Sequence, residues 1–171
     1  MPNGTRLDVL SIVKVLNQLK RRRRLKDYAI FDAVASSYYI EPIYTADIDV
    51  IVFAEADLEY ISIGRELAKF AQKKLDFGFV ISDTKVQIQP SSIHPLYGSA
   101  LKTAKSVRIG NTRTKIVNRE HLILLHLRAF RDKDIYKARF LLKRADLSHL
   151  NLLLEGFDSD GSLKQRLQKI L

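Results

Sequence analysis

The segment 45–53 sets two aspartates, Asp47 and Asp49, at the start of an otherwise apolar, β-branched run. Side chains alternate along a strand, so both carboxylates should lie on one face, about 7 Å apart, with the intervening apolar residues on the other. Neighbouring carboxylates repel unless a cation lies between them, and Mg²⁺ prefers a few carboxylates together with water and phosphate oxygens. The spacing alone fits either a divalent-metal site or a strand that enters through a solvated polar turn.

Composition restricts the class of protein. The chain has 171 residues, of which 46% are hydrophobic and 28% charged, as expected for a globular protein with a substantial core. The absence of cysteine excludes disulfides, thiolate catalysis and Cys-ligated zinc, and it fits a reducing compartment. No apolar run approaches the roughly 20 residues that cross a bilayer, and the N-terminus lacks a signal-peptide pattern. We therefore expect a cytoplasmic protein with no membrane partner.

The net charge is +10, from 29 basic and 19 acidic residues. Such an excess favours polyanionic partners such as nucleic acid, nucleotides or an acidic protein. The densest basic cluster follows Lys20 and consists of Arg21, Arg22, Arg23 and Arg24. This cluster fits either contact with RNA or phosphate, or a solvated helix end stabilised by the helix dipole.

Hydrophobic periodicity predicts an α/β part followed by a helical part. The predicted helices span 7–19, 33–39, 57–75, 95–104, 119–130, 134–144, 148–155 and 161–171. The predicted strands span 28–31, 47–53, 77–81, 85–89, 106–109 and 114–117. A seam near residue 117 divides an α/β core with its N-terminal helix, residues 1–117, from a helical part, residues 118–171. We expect the second part to pack on the first as one compact unit.

Three motifs in this order resemble the nucleotidyltransferase superfamily, in particular its minimal and AbiEii-like toxin branch. Residues 28–35 match the segment where the family carries a glycine-rich turn, and residues 45–49 match its metal-binding strand. Residues 119–134 match its helical segment that ends in a cluster of arginine, lysine and aspartate. The resemblance implies an α+β fold, with a mixed sheet flanked by helices and followed by a helical C-terminal part.

The same resemblance implies a function. Members transfer a nucleoside monophosphate from an NTP to a hydroxyl and release pyrophosphate; here Asp47 and Asp49 would be the catalytic residues that hold Mg²⁺. The acceptor would be an RNA, such as tRNA, or a protein, and the chain would be a toxin with an antitoxin protein as partner. The implied contacts to nucleotide phosphates come from Asp32, Ala33, Ser36, Ser37, Arg131 and Lys133, and those to nucleic acid from Arg21, Arg22, Arg23 and Arg24.

The sequence departs from the family at two positions. Asp32 stands where the family has glycine; it could cap the following helix, oppose a triphosphate by its charge, or join Asp47 and Asp49 around a cation. Gln87 or Gln89 stands where a third carboxylate is expected, and glutamine is neither an anionic ligand nor a general base. The alternative function is therefore a catalytically weakened member that acts as an RNA-binding or protein-binding module.

Overall fold

The computed structural model describes residues 8–171, which form eight α-helices, seven strands and one short 3₁₀ turn. The helices are α1 Val9–Arg21, α2 Asp32–Tyr39, α3 Asp57–Ala68, α4 Pro95–Lys102, α5 Arg119–Ala129, α6 Asp132–Leu142, α7 Leu147–Phe157 and α8 Ser162–Ile170. The strands are β1 Tyr28–Phe31, β2 Asp47–Val52, β3 Lys73–Leu75, β4 Gly78–Ile81, β5 Thr84–Pro90, β6 Lys105–Ile109 and β7 Thr112–Ile116. The α+β fold predicted from the sequence is confirmed.

All seven strands form one mixed sheet in the order β3-β4-β5-β2-β1-β7-β6. The central strand β2 pairs antiparallel with β1 and parallel with β5, while β1 pairs parallel with β7. In this register Asp49 lies opposite Phe31 on one side and opposite Gln87 on the other. The end of β1, the start of β2 and the middle of β5 therefore meet at one place in the sheet.

Helix α1 covers the sheet because its apolar residues recur at helical spacing. Ile12, Val13, Leu16 and Leu19 are all buried, and each buried side chain of this size contributes about 1.5–3 kcal/mol to folding. Asp8 caps the helix by accepting a hydrogen bond from the Ser11 amide. The predicted position Leu7 lies outside the described residues.

Helix α5 is the centre of the C-terminal part. Every residue from Glu120 to Leu127 is buried, as expected for a helix that is covered on all sides by other elements. A hydrogen bond of 2.9 Å between Ser36 of α2 and His126 of α5 joins this helix to the α/β core. The helical part thus supplies side chains directly above the turn between β1 and α2.

The prediction of one helix over residues 57–75 is wrong beyond Ala68. Phe70 and Ala71 continue the helical period, but the chain turns there and β3 pairs antiparallel with β4. The amide of Gln72 already donates to the Val80 carbonyl at 2.8 Å. Strand pairing in the tertiary structure therefore overrides the local helical pattern.

Within the described chain, no helix has the length and apolar character that a membrane crossing requires.

Candidate active site

Asp47 and Asp49 point to the same side of the sheet. Both are partly exposed, whereas their neighbours Ile48 and Val50 are fully buried, which is the alternation that the sequence predicts. The two aspartates line a cavity of about 710 Å³ between the sheet and the helical part. The cavity is large enough for a small-molecule ligand.

The Asp49 carboxyl lacks sufficient positive charge around it. Burial, together with the negative charges of Asp32 and Asp47, raises the pKa of Asp49 to about 7, and the charges of Lys137 and Lys133 oppose this only in part. A hard divalent cation would remove this deficit, because Asp47 and Asp49 offer carboxylate oxygens that open into a cavity. The donor set therefore fits Mg²⁺.

Strand β5 provides the neighbours of the two aspartates. The Lys85 ammonium lies 3.8 Å from an Asp47 carboxylate oxygen. The Gln87 amide, oriented to satisfy both of its neighbours, donates to Asp49 at 3.3 Å and accepts from Lys85 at 3.1 Å. Gln89 lines the same cavity. Gln87 is the residue directly opposite Asp49, so an amide occupies the place where a third carboxylate was expected.

Asp32 begins α2 with a backbone φ of 56°. This left-handed conformation favours glycine, since a Cβ is strained there. The expectation that Asp32 caps α2 is wrong: Phe31 is the N-cap residue and the Asp32 side chain makes no capping bond. The carboxylate instead forms a close ion pair with Lys137 and lies 3.8 Å from the Arg131 guanidinium.

Lys137 belongs to a buried network under this turn. Its side chain is 3% exposed, and its ammonium lies 3.4 Å from Asp134, which is fully buried. Asp134 also accepts a 2.6 Å hydrogen bond from Arg131 Nε and one from the Arg131 amide, so it both caps α6 and anchors that arginine. Burial opposes ionisation of Asp134, but hydrogen bonds from His126 and Arg131 and the Lys137 charge hold its pKa well below the usual range.

His126 completes the network. Burial lowers the pKa of this histidine, so its neutral ring bridges Asp134, at 3.4 Å from Nδ1, and the Ser36 hydroxyl, at 2.9 Å from Nε2. Asp32, His126 and Asp134 could together offer three ligand atoms to a metal ion. The Lys137 ammonium and the Arg131 guanidinium together compensate the two carboxylates, so this trio does not need a metal.

The other positions singled out in the sequence divide into two groups. Those that line the cavity are Ala33, Arg131 and Lys133. Ser36 and Ser37 do not line it, because Ser36 is held by His126 and the Ser37 hydroxyl donates to the Ala33 carbonyl. The exposed cluster Arg21–Arg24 precedes β1, whereas Asp32 follows it. The cluster and Asp32 therefore lie at opposite ends of this strand, which is about 13 Å long.

Lys137 is a residue of the site that the sequence patterns do not predict. Lys137 and Asp32 lie 105 positions apart in the chain, and a single lysine in an amphipathic helix ordinarily points to solvent. The one local signal is the spacing of three residues between Asp134 and Lys137, which places both on the same side of α6. That spacing is too common to indicate a buried pair.

Comparison with known proteins gives structural matches only. No protein-family model and no curated protein matches the sequence. Among solved structures, ANT(2")-Ia in complex with adenylyl-2"-tobramycin matches with a TM-score of 0.55 and 14% identity, over 88% of this chain and 97% of that one. A nucleotidyltransferase-like antigenic protein from Paracoccidioides brasiliensis matches with a TM-score of 0.57 and 14% identity, over 92% and 94%.

A third match is a candidate nucleotidyltransferase from Thermotoga maritima, with a TM-score of 0.50 and 16% identity, over 84% of this chain and 99% of that one. All three matches extend over most of both chains, so they concern the whole fold and not one motif. At such low identity they establish architecture alone. The chain has a nucleotidyltransferase-like fold, in which Asp47 and Asp49 of the central strand face the cavity between the sheet and the helical part.

Proposed function

We propose that this protein transfers a nucleoside monophosphate from an NTP to a hydroxyl group in the cavity above β2. The observation that carries the proposal is the pair Asp47 and Asp49, which face one cavity and of which Asp49 has too little positive charge around it. An acceptor hydroxyl oxygen attacks the α-phosphorus and forms a new P–O bond. The bond from that phosphorus to the bridging oxygen breaks, pyrophosphate leaves, and the hydroxyl proton passes to solvent.

Each residue of the site has a distinct task in this reaction. Asp47 and Asp49 would hold Mg²⁺, which when bound supplies Lewis-acid stabilisation of the phosphoryl oxygens. Lys133 and Arg131 line the cavity wall opposite β2 and would bind the triphosphate. Gln87 keeps the Asp49 side chain in place through its amide.

Asp32 weakens the site but does not close it. Its negative charge is offset by Lys137 and Arg131, so the repulsion of a triphosphate is smaller than for an unpaired carboxylate. The same pairing leaves less of the Lys137 and Arg131 charge for a bound nucleotide. We therefore assign the protein low affinity for NTP and slow turnover.

For the acceptor, we propose an RNA hydroxyl, and for the biological role a toxin of the AbiEii-like branch with an antitoxin protein as partner. The support is the resemblance of the three sequence motifs and the net charge of +10, which attracts polyanions. Expression of the wild type should arrest growth of its host, whereas Asp47→Ala should not. Normal growth at equal expression of the two proteins would contradict the toxin role.

Transfer itself is tested by incubating the protein with each α-³²P-labelled NTP, Mg²⁺ and total RNA or cell protein. The wild type should label one acceptor class, and Asp47→Ala should abolish the label. Glu155→Ala, which removes an exposed carboxylate on α7, is the matched control and should label as the wild type does. Absence of label in the wild type with every NTP would refute the proposal.

A binding module without turnover is the second candidate function. Three observations favour it: Asp47 is paired with Lys85, Gln87 replaces a carboxylate, and Asp32 occupies a glycine-type turn. Under this alternative the protein binds RNA in a salt-sensitive manner but labels no acceptor. Isothermal titration with Mg²⁺ and a non-hydrolysable ATP analogue distinguishes the two, because the enzyme must bind both ligands and a module for RNA alone need not.

A further inference from the structure

The basic end of α1 lies beside the β6–β7 hairpin. Lys20 and Arg21 from the helix and Arg113 and Lys115 from β7 line one surface depression of about 330 Å³. None of the described residues that line this depression is acidic. Arg21, the first residue of the arginine cluster, therefore lies on a basic surface that includes the β6–β7 hairpin, and Arg22–Arg24 follow it in the chain.

Arg108 and Arg113 face each other across the hairpin. They are directly paired in the antiparallel register of β6 and β7, and both are exposed. Like charges at paired positions destabilise a sheet by a fraction of a kcal/mol. Among the ion pairs formed within residues 8–171, none includes Arg108, Arg113 or a residue of the cluster Arg21–Arg24.

The nearby carboxylate is already neutralised. Asp27 lies between Lys20, at 3.2 Å, and Lys115, at 2.6 Å. These bonds fix the two lysines at the rim of the depression, and the arginines around them keep their full charge. The basic face, defined as Arg21–Arg24 with Arg108 and Arg113, thus carries six positive charges without a carboxylate partner in the described chain.

Ordinary structural roles account for only part of this face. Cations at the end of α1 are favoured by the helix dipole, and a cation on the edge strand β6 hinders pairing with another sheet. Each of these effects needs one or two charges. Neither explains two arginines at directly paired positions beside a run of four more.

We propose that the basic face binds the phosphodiester backbone of a nucleic acid. A backbone phosphate between Arg108 and Arg113 would remove their repulsion, and successive phosphates would meet the cluster at the end of α1. The face lies at the end of β1 opposite to Asp32, so it is separate from the cavity of Asp47 and Asp49. This proposal does not rest on the nucleotidyl-transfer activity.

The test is binding of a 30-nucleotide RNA and a DNA of the same sequence, without NTP or Mg²⁺, over a range of salt concentrations. The wild type should bind both, with an affinity that falls steeply as salt rises. The double variant Arg108→Gln/Arg113→Gln should bind about tenfold more weakly, and the slope of log K against log salt should decrease by about 1–2. Arg22→Gln/Arg24→Gln should show the same two effects.

The matched control is Lys164→Gln/Lys169→Gln, which removes two exposed charges from α8. It lowers the net charge by the same amount and should leave the affinity and the salt slope nearly unchanged. An equal loss in the control would overturn the proposal, because net charge alone would then explain binding. Circular dichroism and thermal melts verify that all variants are folded.

Two further outcomes would contradict the proposal. Loss of RNA binding in Asp47→Ala would place the nucleic acid in the cavity instead of on the basic face. Discrimination of more than tenfold between sequences of equal length and charge would show base recognition, which contacts to the backbone do not provide. Anionic lipid vesicles that bind as tightly as RNA, with the same loss in Arg108→Gln/Arg113→Gln, would also overturn it.

Discussion

Two groups of carboxylates line the same cavity, and their charges are compensated differently. Asp32 and Asp134 are paired with the buried Lys137, and Arg131 supports them from the surface. Asp47 has Lys85 at 3.8 Å, whereas Asp49 has a neutral amide beside it and is compensated only in part by Lys137 and Lys133. The first group is complete within the chain, whereas the second leaves a deficit that a cation from solution can fill. The difference separates a structural ion cluster from the proposed ligand site.

The largest effect should follow from breaking the compensated group. In Lys137→Met, Asp32 and the fully buried Asp134 lose their buried cation, and removal of one partner of a buried pair costs about 3–5 kcal/mol. Urea denaturation would measure the free energy of unfolding. Lys143→Met, which replaces an exposed lysine at the C-cap of α6, should change it by less than about 0.5 kcal/mol. Equal stability of the two variants would mean that the ion cluster does not stabilise the fold.

Because the Asp49 carboxylate is incompletely compensated, the free energy of unfolding should depend on pH when EDTA removes metal ions. Its folded-state pKa of about 7 exceeds the ordinary value of 3.8, so the native state binds more protons and the Asp49 contribution becomes less favourable as pH rises from 4 to 7. Asp49→Asn should remove a penalty on the order of 4 kcal/mol at pH 8, since the pKa is raised by about three units and each unit corresponds to about 1.4 kcal/mol. Glu155→Gln serves as the control. If the free energy of unfolding of the wild type does not fall relative to that of Asp49→Asn between pH 4 and 7, then Asp49 is not an uncompensated carboxylate.

Mg²⁺ should remove the same penalty. Millimolar Mg²⁺ at pH 8 should raise the melting temperature of the wild type, since a ligand that binds only the native state stabilises it. The melting temperature of Asp49→Asn should respond much less. An equal response of both proteins would show that Mg²⁺ binds elsewhere.

A smaller effect is expected when Asp32 is replaced by glycine. The variant Asp32→Gly frees Lys137 and Arg131 for phosphate and suits the left-handed backbone, so the affinity for NTP should rise about tenfold, equivalent to 1.4 kcal/mol. Equilibrium dialysis with labelled ATP would measure it. Asp32→Asn separates charge from shape, because it removes the charge but keeps the Cβ. Unchanged affinity in both variants would exclude Asp32 as the obstacle to nucleotide binding.

The smallest effect concerns uncompensated positive charge, at the exposed pair Arg108 and Arg113. Arg108→Glu converts repulsion into attraction across β6 and β7 and should stabilise the fold by about 0.5 kcal/mol at low salt. The gain should shrink at 1 M salt because exposed charges are screened. A gain that does not depend on salt would point to a cause other than charge.

Local patterns predicted the parts of the site that depend on one segment of chain. The alternation in residues 47–53 was sufficient to place Asp47 and Asp49 on one face, and the three-residue connection between two apolar runs predicted the β4–β5 hairpin. The existence of α6 also followed from its sequence, but the predicted start at residue 134 lies two residues after the observed start at Asp132, because Asp134 caps the helix from its first turn by interacting with Arg131. These features follow from backbone periodicity and short-range hydrogen bonds.

Features that depend on tertiary register could not be predicted in this way. The pairing of Asp32 with Lys137 requires the packing of α6 over the β1–α2 turn, and the end of α3 depends on the pairing of β3 with β4. The pairing of Arg108 with Arg113 was easier to predict from the sequence. The turn at Gly110 and Asn111 connects two predicted strands, and counting outward from it gives the register directly.

The left-handed turn at Asp32 has a consequence for how this protein can change over generations. Glycine and aspartate codons differ at one base, and the backbone at this position suits glycine without rearrangement. A single nucleotide substitution can therefore replace the carboxylate that is paired with Lys137 and Arg131 by a glycine, which leaves both cations without this partner. The charge that this turn presents to the cavity can thus change in one mutational step.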